Sequence, residues 1–342
     1  PTSHPTTRDA QGIPRRHFLE MAAAIGLSTS GWSALAGGVQ GFGDEVSQQE
    51  DLFVINMLGG IVNLNPLVGG GRLGLLDPRS IADAIDSGMR AVNVTVGGFA
   101  RDTPASFDPT LTQVRRWTER VRSHPDVLVR VLNASDIRLA QEERKVGVIF
   151  GFQNAVMMGD DATRVRTFAD LGVRIVQLTY NGANQLGDGA LVPANGGLTP
   201  FGHEVVEALE AAHVLVDLSH SGEQTCLDTL RAATRPTAIT HTGCRALADD
   251  PRNKSDEELR LVAETGGIVG NYFMPFFLVP DGRADVTDVA RHIERAIDVC
   301  GEDHVGIGTD AGTTQIDDME ALLASPAHHR ARQLLQEVGE IV

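Results

Sequence analysis

The segment Val214-Leu215-Val216-Asp217-Leu218-Ser219-His220 gives the clearest indication of the architecture, because a short and almost continuously apolar run ends there in polar side chains. Apolar residues on consecutive positions, rather than on alternate ones, are typical of parallel strands that are buried on both faces of a sheet. The same pattern recurs along the chain and predicts eight strands, at residues 52–58, 91–96, 146–152, 173–180, 214–218, 237–240, 267–273 and 304–307.

Helical patterns lie between these runs, and several of them open with Asp, Ser or Thr in the capping position. They predict helices at residues 78–87, 111–122, 162–171, 202–211, 221–232, 256–264 and 286–299. Alternation of strand and helix favours an α/β fold, a (β/α)8 barrel of the TIM type. A doubly wound open sheet is the alternative, but Gly69-Gly70-Gly71 comes too late after the first strand to be its glycine-rich fingerprint.

The charge of the chain argues against nucleic acid as a partner. Its 342 residues contain 29 Lys and Arg against 45 Asp and Glu, a formal net charge of −16 that repels a phosphate backbone. The three cysteines are too few for a disulfide framework or a structural zinc cluster. With 42% hydrophobic residues, the chain is able to bury a large core.

The amino terminus has the pattern of an export signal. Arg15-Arg16 precedes Phe18-Leu19, an apolar run follows, and Ser33-Ala34-Leu35-Ala36 matches a small-residue cleavage site. The paired arginines resemble a twin-arginine signal, so we expect residues 1–36 to be cleaved and the protein to be exported by the twin-arginine machinery to the periplasm or the extracellular space. An amphipathic first helix with two surface arginines is the alternative.

The remaining residues, 37–342, are expected to form one barrel domain. No later apolar run reaches the ~18 residues that a membrane-spanning helix needs, so we expect no transmembrane span in the mature chain. The chain begins without Met and stops inside a helical pattern at residues 327–342, so we expect it to be incomplete at both ends, with the barrel domain truncated at the carboxyl terminus.

Polar side chains follow the predicted strands at the edge where a barrel of this kind carries its chemistry. His220 follows the fifth run, His241 the sixth and Asp310 the eighth. We expect the three side chains to face one point, where neutral imidazole and carboxylate suit zinc or another divalent metal. For either histidine alone the alternative is a hydrogen-bonded core or surface residue, and for Asp310 it is the cap of a turn.

These three side chains predict a hydrolytic mechanism. His220 and His241 would hold a metal that polarises a scissile carbonyl and lowers the pKa of a bound water. Asp310 is the candidate catalytic base, which would take the proton from that water.

Several stretches together resemble one family, the membrane dipeptidases, also called renal dipeptidases, a branch of the amidohydrolase-like barrels. They are Gly197-Leu198-Thr199-Pro200-Phe201-Gly202, Val216-Asp217-Leu218-Ser219-His220, Thr240-His241-Thr242, Pro251-Arg252-Asn253 and His304-Val305-Gly306-Ile307-Gly308-Thr309-Asp310. The resemblance implies a zinc-dependent peptidase that cleaves dipeptides. It implies that His220 and His241 are metal ligands, that Asp310 is the strand-eight aspartate, and that Arg252 grips the substrate carboxylate. By itself, Arg252 would be interpreted as a solvated loop arginine.

The chain also departs from the family pattern. Leu58 and Gly60 stand where the family has a His-x-Asp pair of metal ligands, and neither can bind a metal. Gln153 replaces a bridging glutamate, and Tyr180 replaces a histidine that holds the substrate. We therefore predict at most one firmly bound metal ion, held by His220, His241 and either Gln153 or Asp310. Tyr180 and Asn181 are the further candidate substrate-binding residues.

Three hypotheses follow from these residues. The favoured one is an exported metal-dependent hydrolase that cleaves dipeptides or related small amides with a metal-activated water. The alternative is a non-hydrolytic or inactive dipeptidase homologue that binds or rearranges a small zwitterionic ligand. A scaffold protein is the third, although a scaffold has little reason to place two histidines, an aspartate and an arginine in one layer. The substrate's identity and the existence of a homodimer stay open.

Overall fold

Eight parallel strands close into a ring at the centre of the computed structural model, which describes residues 53–65, 76–98 and 102–318. In chain order they are β1 (Val54–Asn56), β2 (Met89–Gly97), β3 (Val146–Phe152), β4 (Val173–Gln177), β5 (Leu215–Asp217), β6 (Ala238–Thr242), β7 (Ile268–Asn271) and β8 (Val305–Ile307). Each strand pairs with its neighbours in sequence, and β8 pairs with β1 to close the ring. The predicted (β/α)8 barrel is confirmed.

Helices follow the strands and cover the outside of the ring. They are α1 (Pro78–Asp86), α2 (Phe107–Arg122), α3 (Ala134–Glu142), α4 (Arg164–Asp170), α5 (Pro200–Ala211), α6 (Glu223–Ala232), α7 (Asp256–Glu264), α8 (Pro275–Leu278) and α9 (Val286–Cys300), with 3-10 turns at Pro104–Ser106, Val156–Met158 and Glu302–His304. Caps are present at the predicted starts, since Asp77, Ser255 and Asp285 accept backbone N–H groups at the starts of α1, α7 and α9.

Several elements were not predicted from the sequence, among them the short helix α8. Leu128–Val131 is an extra parallel strand that pairs with the first half of β3, and α3 follows it. The run Leu128-Val129-Arg130-Val131 is short and contains an arginine, so it lacks the continuous apolar pattern of the barrel strands. A further small ladder joins Gly59–Gly60 to Ala311–Gly312.

Several predicted strand ends are wrong by two or three residues. The run 173–180 leaves the sheet after Gln177, and the run 267–273 leaves it after Asn271. In both cases the apolar residues continue into a loop that packs over the end of the barrel, with Leu178 and Tyr272 fully buried. Burial therefore persists after strand pairing has ended.

The interior of the ring is apolar at its amino-terminal end and polar at its carboxyl end. Side chains from five strands form a separate cluster inside the ring, with Ala91, Ile149 and Ile175 buried in it. Ile137 of α3 packs against this cluster and closes the floor. The chemistry-bearing residues are therefore confined to the opposite end, at the carboxyl ends of the strands.

Some predicted features lie outside the described residues. These are the export signal at 1–36, the first residue of the first predicted strand, and the helical pattern at 327–342. Within the described ranges, we find no helix that is both long enough and apolar enough to cross a membrane.

Candidate functional site

His220 and His241 meet at the carboxyl end of the barrel. His220 lies three residues beyond the end of β5, and His241 is the last residue but one of β6. Both are buried, and their rings pack edge to face with centroids 4.9 Å apart. The sequence prediction that neighbouring strands bring these two imidazoles together is thus seen in the geometry.

One nitrogen of each imidazole is engaged by the protein and the other is not. The Nδ1 atom of His220 lies 2.7 Å from Oδ1 of Asn181, and that of His241 lies 2.9 Å from Oγ1 of Thr240. The Nε2 atoms of both rings are buried, and neither has a hydrogen-bond partner among the described residues. A buried polar atom without a partner calls for a ligand or an ion.

The electrostatics keep both rings neutral. Burial lowers the pKa of His220 and of His241 well below the usual value, and the nearby positive charge of Arg252 lowers both further. Neutral imidazole is the form that binds a metal.

Arg252 is buried, which overturns its interpretation as a solvated loop residue. Its side chain is 2% exposed, and Nη1 donates to the backbone oxygen of Ser219 at 2.6 Å. Nε and Nη2 have no hydrogen-bond partner in the part of the chain that the structure describes. The loop is held by Asp250, whose carboxylate accepts the Arg252 N–H at 2.8 Å. The guanidinium therefore has two donor nitrogens, Nε and Nη2, that are available to bind a carboxylate.

Asp310 follows β8 in a left-handed backbone conformation, with φ of 55°. Its N–H donates to the backbone oxygen of Leu58 at 3.0 Å, which fixes the loop against the end of β1. Gly308 allows this close approach, because a Cβ there would overlap the backbone oxygen of Thr240. Burial raises the pKa of Asp310 to about 6, and the charge of Arg252 opposes that rise. Arg252 thus acts on Asp310 and on both imidazoles.

The other candidate residues line the same end of the barrel. Gln153 is buried directly after β3, and its backbone oxygen accepts from the side chain of Gln177. Tyr180 stacks on His220, with ring centroids 4.0 Å apart and planes 20° apart. Asn181 holds His220 through the contact described above. Whether these three bind a metal or a substrate stays a prediction.

The donor set fits one metal ion rather than two. The bare Nε2 atoms of His220 and His241 form a pair of imidazole ligands, whereas Leu58 is a buried apolar side chain and Gly60 has none. Across residues 53–65, 76–98 and 102–318, no group of three or more His, Cys, Asp or Glu side chains is placed to hold an ion. A third ligand from Gln153 or Asp310 stays a prediction.

Sequence reasoning missed the buried polar layer behind the site. Asp217, Thr240 and Lys254 are each at most 2% exposed and contact residues that flank the two histidines. In the sequence, this layer was indicated only by Asp217, a charged residue inside an apolar run. The burial of Thr240 and Lys254 had no such indication, because it depends on neighbours far along the chain.

A closed parallel barrel with imidazoles and an arginine at the carboxyl ends of its strands has the architecture of the (β/α)8 enzymes, whose active sites lie at that end. The chain belongs to the membrane dipeptidase family, Peptidase family M19, whose family model matches residues 79–327. Membership supports a hydrolase of the metallopeptidase class that acts on dipeptides.

The chain is also similar to individual proteins. The chain is 33% identical over 206 residues to a Klebsiella pneumoniae protein described as an uncharacterized protein in the pqqA 5' region, covering 57% of this chain and 76% of that protein. It is 32% identical to an amidohydrolase from Pseudomonas aeruginosa of solved structure, with a TM-score of 0.69 and coverage of 78% of this chain and 76% of that one.

A third comparison supports the fold alone. A metallo peptidase from Rhodobacter sphaeroides, solved with a phosphinate mimic of the dipeptide L-Ala-D-Ala, is 22% identical. Its TM-score is 0.67, with 84% of this chain and 95% of that chain covered. The (β/α)8 architecture is thus shared with that metallo peptidase.

Proposed function

We propose that this protein hydrolyses dipeptides or related small amides and that His220 and His241 hold a single zinc ion, or another divalent metal, for this reaction. One observation carries the proposal: both Nε2 atoms are buried and lack a hydrogen-bond partner among the described residues. A bound zinc would supply Lewis-acid polarisation of the carbonyl and acidification of water.

The chain's own residues have separate roles in this proposal. Arg252 binds the free carboxylate of the substrate through Nε and Nη2, and this contact orients the amide. Asp310, when ionised, accepts a proton from the attacking water at a carboxylate oxygen. Tyr180 and Asn181 line the substrate side of His220, and Gln153 or Asp310 is the third metal ligand.

A second function is favoured by a different observation. Leu58 is 3% exposed and Gly60 has no side chain, so the end of β1 offers no ligand for a second ion. Arg252 and Asp310 would still provide a cation and an anion for a small zwitterion. The alternative is therefore a non-hydrolytic homologue that binds or rearranges such a ligand without a metal.

Zinc quantification and dipeptide hydrolysis on the same preparation test the two functions. The protein is purified without added metal, analysed for zinc, and assayed on a panel of L,L and L,D dipeptides. The proposal expects about one zinc per chain and hydrolysis that a chelator abolishes. His220→Ala should lose both metal and hydrolysis, while His203→Ala on the exposed face of α5 keeps them. Absence of metal, with dipeptide binding that survives the chelator, would establish the alternative.

The export proposal depends on residues 1–36 and needs its own test. We propose delivery to the periplasm or the extracellular space by the twin-arginine machinery, with the signal cleaved after export. Replacing Arg15 and Arg16 by lysine should keep the protein in the cytoplasm of a bacterial host, as judged by cell fractionation. Periplasmic delivery of the Lys-Lys variant would exclude this route. Sedimentation of the mature protein would settle whether a homodimer forms.

A further inference from the structure

Asp217 is a buried carboxylate on β5 that the proposed function leaves without a role; its side chain is 2% exposed. Its Oδ1 accepts from the Ser219 N–H at 3.1 Å, the Ser219 hydroxyl at 2.5 Å and the Thr240 N–H at 2.9 Å. Its Oδ2 accepts from the Thr240 hydroxyl at 2.7 Å. Burial raises the pKa of Asp217, and these four donated hydrogen bonds oppose the rise.

The Thr240 hydroxyl has a single proton, and its direction decides the state of His241. The four donors that surround Asp217 favour its ionised form, because hydrogen bonds donated to a carboxylate stabilise the charge. An ionised carboxylate can only accept, so the Thr240 proton points at Asp217 and the oxygen offers a lone pair to its other neighbours. Nδ1 of His241 lies 2.9 Å from that oxygen. The ring must therefore donate from Nδ1, which leaves the lone pair of the neutral imidazole on Nε2.

The neighbouring contacts agree with this proton assignment. The Ser219 hydroxyl also gives its proton to Asp217, so its oxygen is free to accept the backbone N–H of His241 at 3.1 Å; that oxygen lies 3.0 Å from the Thr240 oxygen. His220 reaches the same tautomer by a different contact, because its Nδ1 faces the amide oxygen of Asn181. Each ring thus keeps a buried Nε2 atom without a hydrogen-bond partner among the described residues.

We propose that Asp217 is a positioning residue, which acts through the Thr240 hydroxyl to hold His241 in the Nδ1–H tautomer and keep Nε2 ready to bind a metal. The value of this tautomer rests on the proposed function, in which His241 is a zinc ligand. Outer partners of this kind orient ligands and typically change metal affinity by roughly 10- to 100-fold when they are removed.

The substitution Asp217→Asn keeps the shape of the side chain but should reverse the direction of the hydrogen bonds from residue 217 through Thr240 to His241. The new amide N–H₂ group can face Thr240 and donate to its oxygen, so that the hydroxyl turns to donate to Nδ1 of His241. The ring proton then moves to Nε2, where it blocks metal binding. Thr240→Val removes the hydroxyl altogether, whereas Thr240→Ser retains it.

Two measurements on the full-length chain test the proposal. Two-bond ¹H–¹⁵N correlation spectra of the metal-free protein report which nitrogen of His241 carries the proton. Competition with a chromophoric zinc chelator gives the zinc affinity. The wild type and Thr240→Ser should show Nδ1–H and tight binding. Asp217→Asn should show the Nε2–H tautomer and bind zinc roughly 10- to 100-fold more weakly. Thr240→Val should lose zinc affinity by a similar factor.

A matched control separates this role from general packing. Thr229→Val removes another fully buried hydroxyl, which donates to the Thr225 backbone oxygen at 2.7 Å within α6, and it should leave the tautomer and zinc affinity unchanged. An Nε2–H tautomer in the wild type, or an unchanged tautomer in folded Asp217→Asn, would overturn the proposal. The NMR result stands even if the wild type binds no zinc, which would count against the proposed function alone.

Discussion

The imidazole rings of His220 and His241 pack edge to face, with centroids 4.9 Å apart, and each directs a bare Nε2 atom away from its own hydrogen-bond partner. Such a pair is stable in a buried site only while both rings are neutral, since two protonated rings would repel one another in a low-dielectric environment. The stability of the fold should therefore depend on pH through these two histidines.

We expect the metal-free protein to lose stability when it is acidified below the pKa of a histidine in the unfolded chain, about 6.5. The folded-state pKa of His220 and of His241 is lowered, so the unfolded state takes up protons first. The stabilisation is complete above pH ~6.5 and falls by about 1.4 kcal/mol per pH unit for each ring below it.

Urea denaturation between pH 5 and 7.5 would measure this slope. His241→Asn should remove the contribution of one ring, and His203→Asn, at an exposed position on α5, should leave the slope unchanged. An equal slope in the wild type and in His241→Asn would show that folding does not lower the pKa of His241.

Arg252→Lys should weaken the recognition of substrates with a free carboxylate. Lysine has no planar fork to form two parallel hydrogen bonds. Loss of one hydrogen bond to a charged group costs about 1.5–3 kcal/mol, so KM should rise roughly 10- to 100-fold with little change in kcat. Steady-state kinetics on a dipeptide and on its carboxyl-terminal amide provide the measurement.

The amide is the internal control for this prediction, because it has no carboxylate for Arg252 to bind. The amide should be a poor substrate, with the same kcat and KM in the wild type and in Arg252→Lys. If KM for the dipeptide is unchanged in the variant, and thermal melting shows it folded, Arg252 is not the carboxylate-binding residue.

Asp310→Asn should lower kcat by roughly 10²- to 10⁴-fold, since an amide cannot accept a proton from water. The acid must be ionised to act as a base, and burial raises its pKa to about 6. For the wild type we therefore expect kcat/KM to fall as the pH drops through this value and to level off above it.

A pH–rate profile from pH 5 to 8 checks this expectation. Asp303→Asn, at an exposed position in the 3-10 turn before β8, is the matched control and should keep the wild-type profile. A wild-type rate in Asp310→Asn would remove Asp310 from the mechanism.

Lys254→Met should destabilise the fold strongly. Lys254 Nζ donates to the backbone oxygen of Ser221 at 2.5 Å and to the Cys226 sulfur at 3.0 Å, and it pairs with Glu258 at 3.2 Å. Lys254 and Glu258 are 1% and 0% exposed, so the variant leaves a buried carboxylate without its main partner. The expected loss is about 3–5 kcal/mol in the free energy of unfolding.

The double variant Lys254→Met, Glu258→Met should recover much of that loss, because no buried charge remains. Arg166→Met breaks an exposed ion pair with Asp170 and should cost at most about 1 kcal/mol. Chemical denaturation of the three variants compares these free energies. A Lys254→Met variant as stable as Arg166→Met would show that the buried pair contributes nothing.

The barrel was predictable because its strands are buried on both faces. That burial requires continuous apolar runs, and such runs were sufficient to locate eight strands and the rim residues His220, His241 and Asp310. The strand Leu128–Val131 was not predictable in the same way, because it packs at the floor of the barrel and contains a charged residue.

The alternation of strand and helix and the polar residues at the strand ends can be predicted from the chain alone, since both are local patterns. The burial of Arg252, two of whose nitrogens have no partner among the described residues, and the position of Asp217 and Thr240 behind His241 emerge only in the folded molecule. The contact of Arg252 with Ser219 joins residues that are 33 positions apart, and the contact of Asp217 with Thr240 joins residues that are 23 positions apart. No local pattern encodes burial or proton direction at such separations, because both are set by packing and by the hydrogen-bond partners that packing supplies.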